Sequence, residues 1–264
     1  MISVIIPMYN SANTIERALE SVVKQDYSGA VEVVVVNDGS KDNCVEIVEN
    51  FITAHQNTKI TLISQDNGGV SKARNTGLKN ARGNFVAFLD SDDAWFRNKL
   101  SDQIKILENN SSVDLLGAAF EGFYFAKKRE AELFKVEFKN LIFKNYFQPS
   151  TVIVRKSVID KIGLFDESQK YAEEGNFFFR VSQEFNCFFY NKKLIIYGDG
   201  KQGFGVSGLS ANLKEMEKGE LKNLKFAYKN KWINSFTYAY AVSFSILKYI
   251  RRIIIVSLKK HETV

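Results

Sequence analysis

Short apolar runs alternate with helical patterns from residue 3 to residue 89 of this chain. The apolar runs occupy residues 3–7, 31–36, 59–64 and 84–89, and the helical patterns occupy residues 14–25, 42–55 and 71–81. Strands that alternate with helices of this length form βαβ units, whose strands lie side by side in a parallel sheet. The sequence therefore predicts an α/β fold in which helices flank a mostly parallel sheet.

A polar segment follows each apolar run. Tyr9 and Asn10 follow the first run, and residues 37–40, 65–69 and 90–93 follow the others. The carboxyl ends of parallel strands meet at one edge of the sheet, and open α/β folds bind their ligands at that edge. Four polar segments brought together there predict a site large enough for a nucleotide.

The fourth segment holds Asp90, Asp92 and Asp93, three carboxylates within four residues. Like charges repel, and a hard divalent cation with oxygen ligands relieves the repulsion. Alternation along an extended chain points Asp90 and Asp92 to the same side, so one ion can contact both. The alternative is a surface turn in which Asp93 caps a helix over residues 94–107.

These segments and their flanking residues form a series of motifs. They cover residues 4–10, 36–40, 67–69 with 73–75, and 90–93. The series resembles the inverting members of glycosyltransferase family 2, and residues 149–155, 162–167 and 173–180 resemble the acceptor region of that family. The resemblance implies a GT-A fold with a Rossmann-like sheet over residues 1–215. Its nucleotide-sugar half would be residues 1–110 and its acceptor half residues 111–215.

The resemblance also assigns the donor contacts. Asp38 would accept a hydrogen bond from N3–H of uracil, and because cytosine has an acceptor at that position, a carboxylate favours a uridine nucleotide. The alternative is a turn closed by Asp38 itself. Arg74 would pair with the diphosphate or a base carbonyl, or else lie on a solvated helix face. The residues expected to contact a UDP-sugar are Pro7, Tyr9, Asn10, Asp38, Arg74, Asp90, Ser91 and Asp93.

The same resemblance implies a cofactor. Asp92 would be the direct ligand of Mn²⁺ or Mg²⁺ bridging the donor phosphates. Asp90 would be the second residue of the metal site, where it would hold either the donor ribose or a metal-bound water. Such an ion acts as a Lewis acid that neutralises the charge developing on a leaving diphosphate. The only histidines, His55 and His261, are expected to be bystanders.

Inversion requires a carboxylate that accepts the proton of the acceptor hydroxyl. Glu173 and Glu174 open a predicted helix that carries Arg180 two turns later, as the acidic pair of the family does. The family usually has Asp at the second position, where this chain has Glu174. We predict Glu174 as the base and Glu173 as a residue that binds the acceptor or orients its neighbours. The reversed roles, and a purely structural interaction with the helix dipole, remain open.

Residues 203–208 satisfy the pattern GxGxxG without the tight strand–turn–helix that a dinucleotide site requires. We therefore predict no dinucleotide there. Residues 198–210 are instead predicted to form a flexible loop that closes over the donor diphosphate, as in the enzymes that the chain resembles.

The end of the chain differs from the rest in charge. Residues 222–260 contain nine Lys and Arg and no acid, so with a net charge of +6 the remainder sums to −3. Aromatic residues lie between the basic ones, and the longest uncharged run, residues 232–247, is too short and too polar to span a bilayer. Residues 216–264 are therefore predicted to be an amphipathic helical tail on an anionic membrane surface. Docking of the aromatic residues on the catalytic domain, or a homo-oligomer interface, is the alternative, and nucleic acid is not expected.

The remaining features favour a cytoplasmic enzyme, peripheral on the inner face of a bacterial plasma membrane. Cys44 and Cys187 lack metal or redox spacing, and the first residues lack the basic segment of a signal peptide.

The resemblance implies transfer of glucose or galactose from a UDP-sugar to a sugar on a polyprenyl-diphosphate carrier, with a β-linkage, in O-antigen or other surface polysaccharide synthesis. The alternatives are a sugar-1-phosphate nucleotidylyltransferase, although residues 7–11 lack the glycine and basic residues of a triphosphate loop, and a non-catalytic binding module of the same fold.

Overall fold

The computed structural model describes residues 1–120, 123–125, 128–198 and 208–262, without the side chains of residues 259–262. Its strands are β1 Ile2–Met8, β2 Val31–Asp38, β3 Lys59–Gln65, β4 Phe85–Phe88, β5 Ala94–Trp95, β6 Leu115–Phe120, β7 Leu133–Val136, β8 Ile153–Arg155 and β9 Cys187–Ile196. Its helices are α1 Ile15–Val23, α2 Cys44–Ala54, α3 Val70–Asn80, α4 Lys99–Asn109, α5 Phe138–Leu141, α6 Lys156–Ile162, α7 Glu173–Glu184, α8 Leu213–Lys229 and α9 Ser235–Glu262.

These strands form one mixed sheet with the order β3-β2-β1-β4-β8-β6-β9-β5, and β7 pairs with β9 beside this path. The first four strands are parallel, with Ile5 of β1 opposite Val34 of β2 and Phe88 of β4. Strand β8 runs antiparallel to β4 and β6, whereas β9 is parallel to β6. The predicted α/β fold with a mostly parallel sheet and flanking helices is confirmed.

Successive residues of β1 face opposite sides of the sheet, as the twofold period of a strand requires. Val4 and Ile6 belong to one core, which α1, α2 and α4 cover. Ile5 belongs to the other core, where it joins Phe88 and Phe177. Both faces of the sheet are therefore buried, as expected for a parallel sheet.

Helix α8 belongs to the second core, although it lies in the part of the chain expected to be a tail. Leu224 and Ala227 are buried there, and Trp232 after α8 packs edge-to-face on Phe138 at 5.7 Å between ring centroids. This packing agrees with the alternative in which aromatic residues of the C-terminal segment dock on the catalytic domain. The division of the chain at residue 215 stays a prediction.

Helix α9 directs several polar side chains toward α8 and exposes many of its large apolar side chains. On the inner side Ser245 is buried, and Arg252 and Lys248 contact Glu220 of α8. The exposed large apolar residues of this helix are Phe236, Tyr240, Phe244, Ile246, Leu247, Ile250, Ile253, Ile254 and Leu258. Within the described ranges, no helix is both long and apolar enough to cross a membrane.

Candidate active site

A cleft of about 720 Å³ opens at the edge of the sheet where β1, β2 and β4 end. All of the predicted site residues line it. They are Pro7, Tyr9, Asn10, Asp38, Arg74, Asp90, Ser91, Asp92, Asp93, Glu173 and Glu174. The strand ends supply most of them, because each parallel strand delivers the segment that follows it to the same edge.

Asp38, at the end of β2, is buried and is held by the segment between β3 and α3. Its Oδ1 accepts hydrogen bonds from the Gly68 amide at 2.9 Å and Gln65 Nε2 at 2.7 Å, and its Oδ2 accepts one from the Gly69 amide at 2.7 Å. An ionised carboxylate offers about four acceptor positions, so one remains for a ligand donor. The turn after β2 is closed by Asn37 Oδ1, which accepts from the Ser40 amide at 3.0 Å. The alternative in which Asp38 closes this turn is therefore wrong.

Hydrogen bonds join the segment after β1 to its neighbours. Asn10, whose φ of 49° lies in the left-handed region that Asn tolerates, donates its amide to Ser40 Oγ at 3.0 Å. Ser11 and Ser91 share a hydrogen bond of 2.7 Å between their hydroxyl groups. Tyr9 stays half exposed beside the cleft. The segments after β1, β2 and β4 therefore form one connected wall.

Arg74 of α3 is buried and connects two sides of the cleft. Its Nη2 donates to Asp90 Oδ1 at 2.8 Å and its Nη1 donates to Glu173 Oε1 at 2.7 Å. Burial alone would lower the pKa of Arg74, but the carboxylates of Asp90 and Glu173 raise it, so the guanidinium stays charged. The alternative of a solvated helix face is wrong. Contact between Arg74 and a donor phosphate or base stays a prediction.

Asp93 does not cap a helix. Its Oδ2 accepts hydrogen bonds from Ser150 Oγ and Gln148 Nε2, and its Oδ1 accepts one from the Gly198 amide at 2.7 Å. Ala94 and Trp95 form β5, and α4 begins only at Lys99, so the capping alternative is wrong. Asp93 thus anchors the acidic segment to the start of β8 and to the end of β9. No sequence pattern marked its side-chain partners, because Gln148 and Ser150 lie more than fifty residues away.

The acidic segment fits a divalent cation. Burial and the charge of Asp90, with a contribution from Asp92, raise the pKa of Asp93 to about 7, as expected where carboxylates are crowded together. Over the part of the chain that the structure describes, no group of three or more His, Cys, Asp or Glu side chains could hold a metal. Asp90 and Asp92 both line the cleft, and two carboxylates are enough for Mg²⁺, which usually keeps several waters and binds through one or two carboxylates together with substrate phosphates.

The two glutamates begin α7 and point to different partners. Glu173 is buried against Arg74, whereas Glu174 is partly exposed and lines both the cleft and a second cavity. Burial and the charge of Glu173 raise the pKa of Glu174 to about 8. Arg180, in the same helix, donates to the backbone carbonyls of Ile162 and Leu164 at 2.6 Å and so fixes α7 to the end of α6.

Ala172, immediately before this pair, has a φ of 52° and a ψ of 32°, a left-handed conformation that is strained for alanine. Its carbonyl accepts hydrogen bonds from Asn223 Nδ2 of α8 at 2.8 Å and from Gln169 Nε2 at 3.1 Å. A Cβ atom on Gly219 would lie 2.2 Å from the Tyr171 carbonyl oxygen, so only glycine lets α8 approach this closely. No sequence pattern marked Gln169, Gly219 or Asn223, because their role depends on how α8 packs.

The predicted loop over residues 198–210 falls largely outside the described residues, which exclude 199–207. Gly208, Leu209 and Ser210, at its end, line the cleft. Closure of this loop over a donor stays a prediction.

Several named proteins are similar to this chain in sequence. An uncharacterized glycosyltransferase of Rickettsia prowazekii is 30% identical over 207 residues, which are 74% of this chain and 63% of the relative. The minor teichoic acid biosynthesis protein GgaA of Bacillus subtilis is 32% identical over 191 residues, which are 67% of this chain and 42% of that protein. The chain thus spans less than two thirds of the length of either relative.

Solved structures share the fold. Staphylococcus aureus TarS (residues 1–349) in complex with UDP-GlcNAc superposes with a TM-score of 0.68 at 24% identity, over 93% of this chain and 71% of that one. The mannosyltransferase PcManGT of Pyrobaculum calidifontis, in complex with GDP-Man and Mn²⁺, gives a TM-score of 0.70 at 18% identity, over 93% and 73%. The predicted GT-A fold is confirmed by these likenesses.

The model of the family described as glycosyl transferase family 2 matches residues 3–163, well over half of the sequence, and the chain therefore belongs to that family.

Proposed function

We propose that the protein transfers a hexose, glucose or galactose, from a UDP-sugar to a hydroxyl of a sugar carried on a polyprenyl diphosphate, with inversion to a β-linkage. The observation that carries this proposal is the position of Glu174. It is a carboxyl group with a raised pKa, and it lines the same cleft as the acidic segment at the end of β4. A base and a diphosphate site in one cleft are the two requirements of a direct displacement at a sugar carbon.

The segments after β1, β2, β3 and β4, which we call the donor wall, support a uridine nucleotide. The free acceptor position of Asp38 suits the N3–H of uracil, whereas cytosine has an acceptor at N3 and would leave that position unfilled. TarS was solved with UDP-GlcNAc, whereas PcManGT was solved with GDP-Man. Guanine also presents an N–H donor, so GDP-sugars are the donors against which UDP-sugars must be compared.

Asp90 and Asp92 would hold Mn²⁺ or Mg²⁺, and the bound ion would supply a Lewis acid that neutralises charge on the departing diphosphate. Arg74 keeps Asp90 in place through its 2.8 Å hydrogen bond. The same guanidinium fixes Glu173, whose negative charge raises the pKa of Glu174 and makes it a stronger base. Glu174 then accepts the proton of the acceptor hydroxyl as that oxygen attacks the anomeric carbon and UDP leaves.

The outward face of α9 supports association with the inner surface of an anionic membrane. Its exposed apolar residues, Phe236, Leu247 and Leu258 among them, match the apolar face of an interfacial helix. Lys248 and Arg252 turn inward to Glu220, so they do not supply the cationic surface expected from the sequence. Arg251 is exposed and remains available to lipid headgroups. The teichoic acid relative supports a role in surface polysaccharide synthesis.

A donor screen tests this proposal. The protein is incubated with Mn²⁺, a short polyprenyl-diphosphate sugar and one of UDP-glucose, UDP-galactose, UDP-GlcNAc or GDP-mannose, and nucleotide release and product are measured. We expect acceptor-dependent UDP release, which is lost in Glu174→Gln. Formation of pyrophosphate from UTP and a sugar 1-phosphate would favour a nucleotidylyltransferase, and no turnover with any donor would favour a binding module.

A further inference from the structure

A second cavity of about 120 Å³, the side cavity, continues from the cleft past Glu174. It lies between α7, α8, α9 and the segment after α5, and it shares Ala172, Glu174 and Met216 with the cleft. Glu174 is therefore the boundary between the two spaces. A ligand in the side cavity would present its near end to the proposed base.

The lining of the side cavity includes three basic residues, namely Lys144, Lys248 and Arg252. The ammonium group of Lys144 lies over the rings of Phe123 at 4.5 Å and Phe125 at 4.3 Å. Lys144 forms no ion pair with any residue in the described ranges. Burial lowers its pKa, which is the cost of keeping an ammonium group without an anion beside it.

The other two cations share one carboxylate. Arg252 Nη1 lies 2.7 Å from Glu220 Oε1, and Lys248 Nζ lies 3.4 Å from Glu220 Oε2 and donates to the Phe143 carbonyl at 3.1 Å. Glu217, one turn earlier in α8, is buried, and burial raises its pKa and so favours its neutral form. Even when Glu174 is ionised, the three cations outnumber the two carboxylates that line the side cavity, Glu174 and Glu220, and the excess positive charge suits an anion.

Apolar side chains supply much of the remaining lining, namely Leu141, Ile142, Phe178, Phe179 and Leu224, together with the polar side chains of Asn145, Asn223 and Ser245. An anionic group flanked by apolar carbon matches a prenyl diphosphate better than free inorganic phosphate. Arg and Lys side chains are the usual partners of phosphate oxygens, through charge-assisted hydrogen bonds. The proposed acceptor carries such a diphosphate next to its first sugar.

We infer that the side cavity binds the diphosphate of the acceptor, with Lys144, Lys248 and Arg252 as its cations, and thereby presents the acceptor sugar to Glu174. This assignment rests on the proposed function for the identity of the acceptor. It adds residues of α9, outside the span that the family model matches, to the substrate-binding surface.

Binding of geranyl diphosphate tests the inference without a donor or turnover. Calorimetric titrations in EDTA compare it with geraniol and with inorganic pyrophosphate. We expect geranyl diphosphate to bind at least about tenfold more tightly than either, and excess UDP not to displace it. Displacement by UDP would place the ligand in the cleft, and equal affinity for geraniol or for pyrophosphate would contradict a prenyl diphosphate site. Each of these results overturns the inference.

The variants Lys144→Met and Arg252→Gln should each weaken geranyl diphosphate about tenfold and leave UDP affinity, measured with Mn²⁺, unchanged. Lys144→Arg keeps the charge and should retain binding, which separates loss of the cation from loss of the fold. The matched control is Lys161→Met, because Lys161 also lies over a ring, that of Phe185, but on the surface beside Glu184. Unchanged binding in both Lys144→Met and Arg252→Gln would overturn the inference even if transfer activity is present.

Discussion

The two walls of the cleft are built in different ways. The donor wall consists of the segments after β1, β2, β3 and β4, and hydrogen bonds such as that between Ser11 and Ser91 connect these segments directly. The acceptor wall consists of the start of α7, and it depends on α8, from which Asn223 reaches the Ala172 carbonyl across fifty residues of sequence. The donor wall is thus encoded next to each strand, whereas the acceptor wall exists only after the C-terminal helices have packed.

Arg74 joins these walls through side-chain hydrogen bonds to an acid on each, Asp90 and Glu173. The two walls can therefore be tested separately. Changes in the donor wall should remove metal and donor binding. Changes in the acceptor wall should spare donor binding and act on turnover.

The largest effect is expected from Asp92→Ala in the donor wall. Loss of this carboxylate should lower kcat by about 10³-fold or more, since charge stabilisation at the leaving group is the largest single contribution to such a reaction. Turnover as a function of Mn²⁺ concentration provides the measurement. Asp66→Ala is the control, because Asp66 is exposed after β3 at the same edge of the sheet. Normal Mn²⁺-dependent turnover in Asp92→Ala would show that the metal assignment is wrong.

Glu174→Gln should lower kcat by about 10²- to 10⁴-fold and leave the Kd of the UDP-sugar unchanged, because the amide cannot accept the acceptor proton. Single-turnover kinetics together with donor titration separate the two quantities. Glu173→Gln is the matched comparison and should retain more turnover. If Glu173→Gln is the more damaging change, the roles of the two acids are reversed.

The pH dependence should report Glu174 directly. A base must be ionised to act, and its pKa of about 8 means that kcat/KM should rise roughly tenfold from pH 7 to a plateau above pH 8. In Glu173→Gln the midpoint should move to lower pH, because the neighbouring negative charge no longer raises the pKa of Glu174. A flat profile between pH 6 and pH 9 in the unmodified protein would be incompatible with this base.

Asn223→Ala should act on the acceptor wall from α8. It leaves the carbonyl of Ala172 with one hydrogen bond fewer, and we expect kcat to fall several-fold and stability by about 1–3 kcal/mol. Ala172→Gly in the same background should restore kcat in part, because glycine adopts the left-handed conformation without strain. The midpoint of the pH profile and kcat are measured beside thermal unfolding. A loss of stability with an unchanged kcat and midpoint would restrict Asn223 to a structural role.

The smallest effect is expected on the outer face of α9. Leu247→Gln should weaken binding to anionic vesicles about fivefold or more, because interfacial binding scales with buried apolar area. Ser243→Gln, at an exposed polar position of the same helix, is the control and should bind normally. Cosedimentation with vesicles measures both. Equal binding of the two variants would show that this face of α9 does not bind the membrane.

Much of the donor wall could be predicted from the sequence. The ends of β1 to β4 lie close to the predicted ones, because Pro7, Gly39 and the acids from Asp90 onward end the apolar runs. Parallel pairing then places those ends at one edge, without any knowledge of distant contacts.

The rest depended on tertiary packing. Helical periodicity shows which residues of α9 share a face but not which face meets the core, so the inward orientation of Lys248 and Arg252 could not be read from the pattern. The burial of Arg74 and the partners of Asp93 depend on chain segments that lie far away in sequence. The strain at Ala172 likewise follows from the packing of α8.

The central claim is that a metal ion at Asp90 and Asp92 and a uridine nucleotide at Asp38 occupy the donor wall together. A crystal structure with UDP and Mn²⁺, with anomalous scattering collected for manganese, tests it directly. We expect an anomalous peak between the Asp92 carboxylate and the diphosphate, with uracil N3 within hydrogen-bond distance of Asp38. A peak elsewhere, or a base that does not contact Asp38, would contradict it.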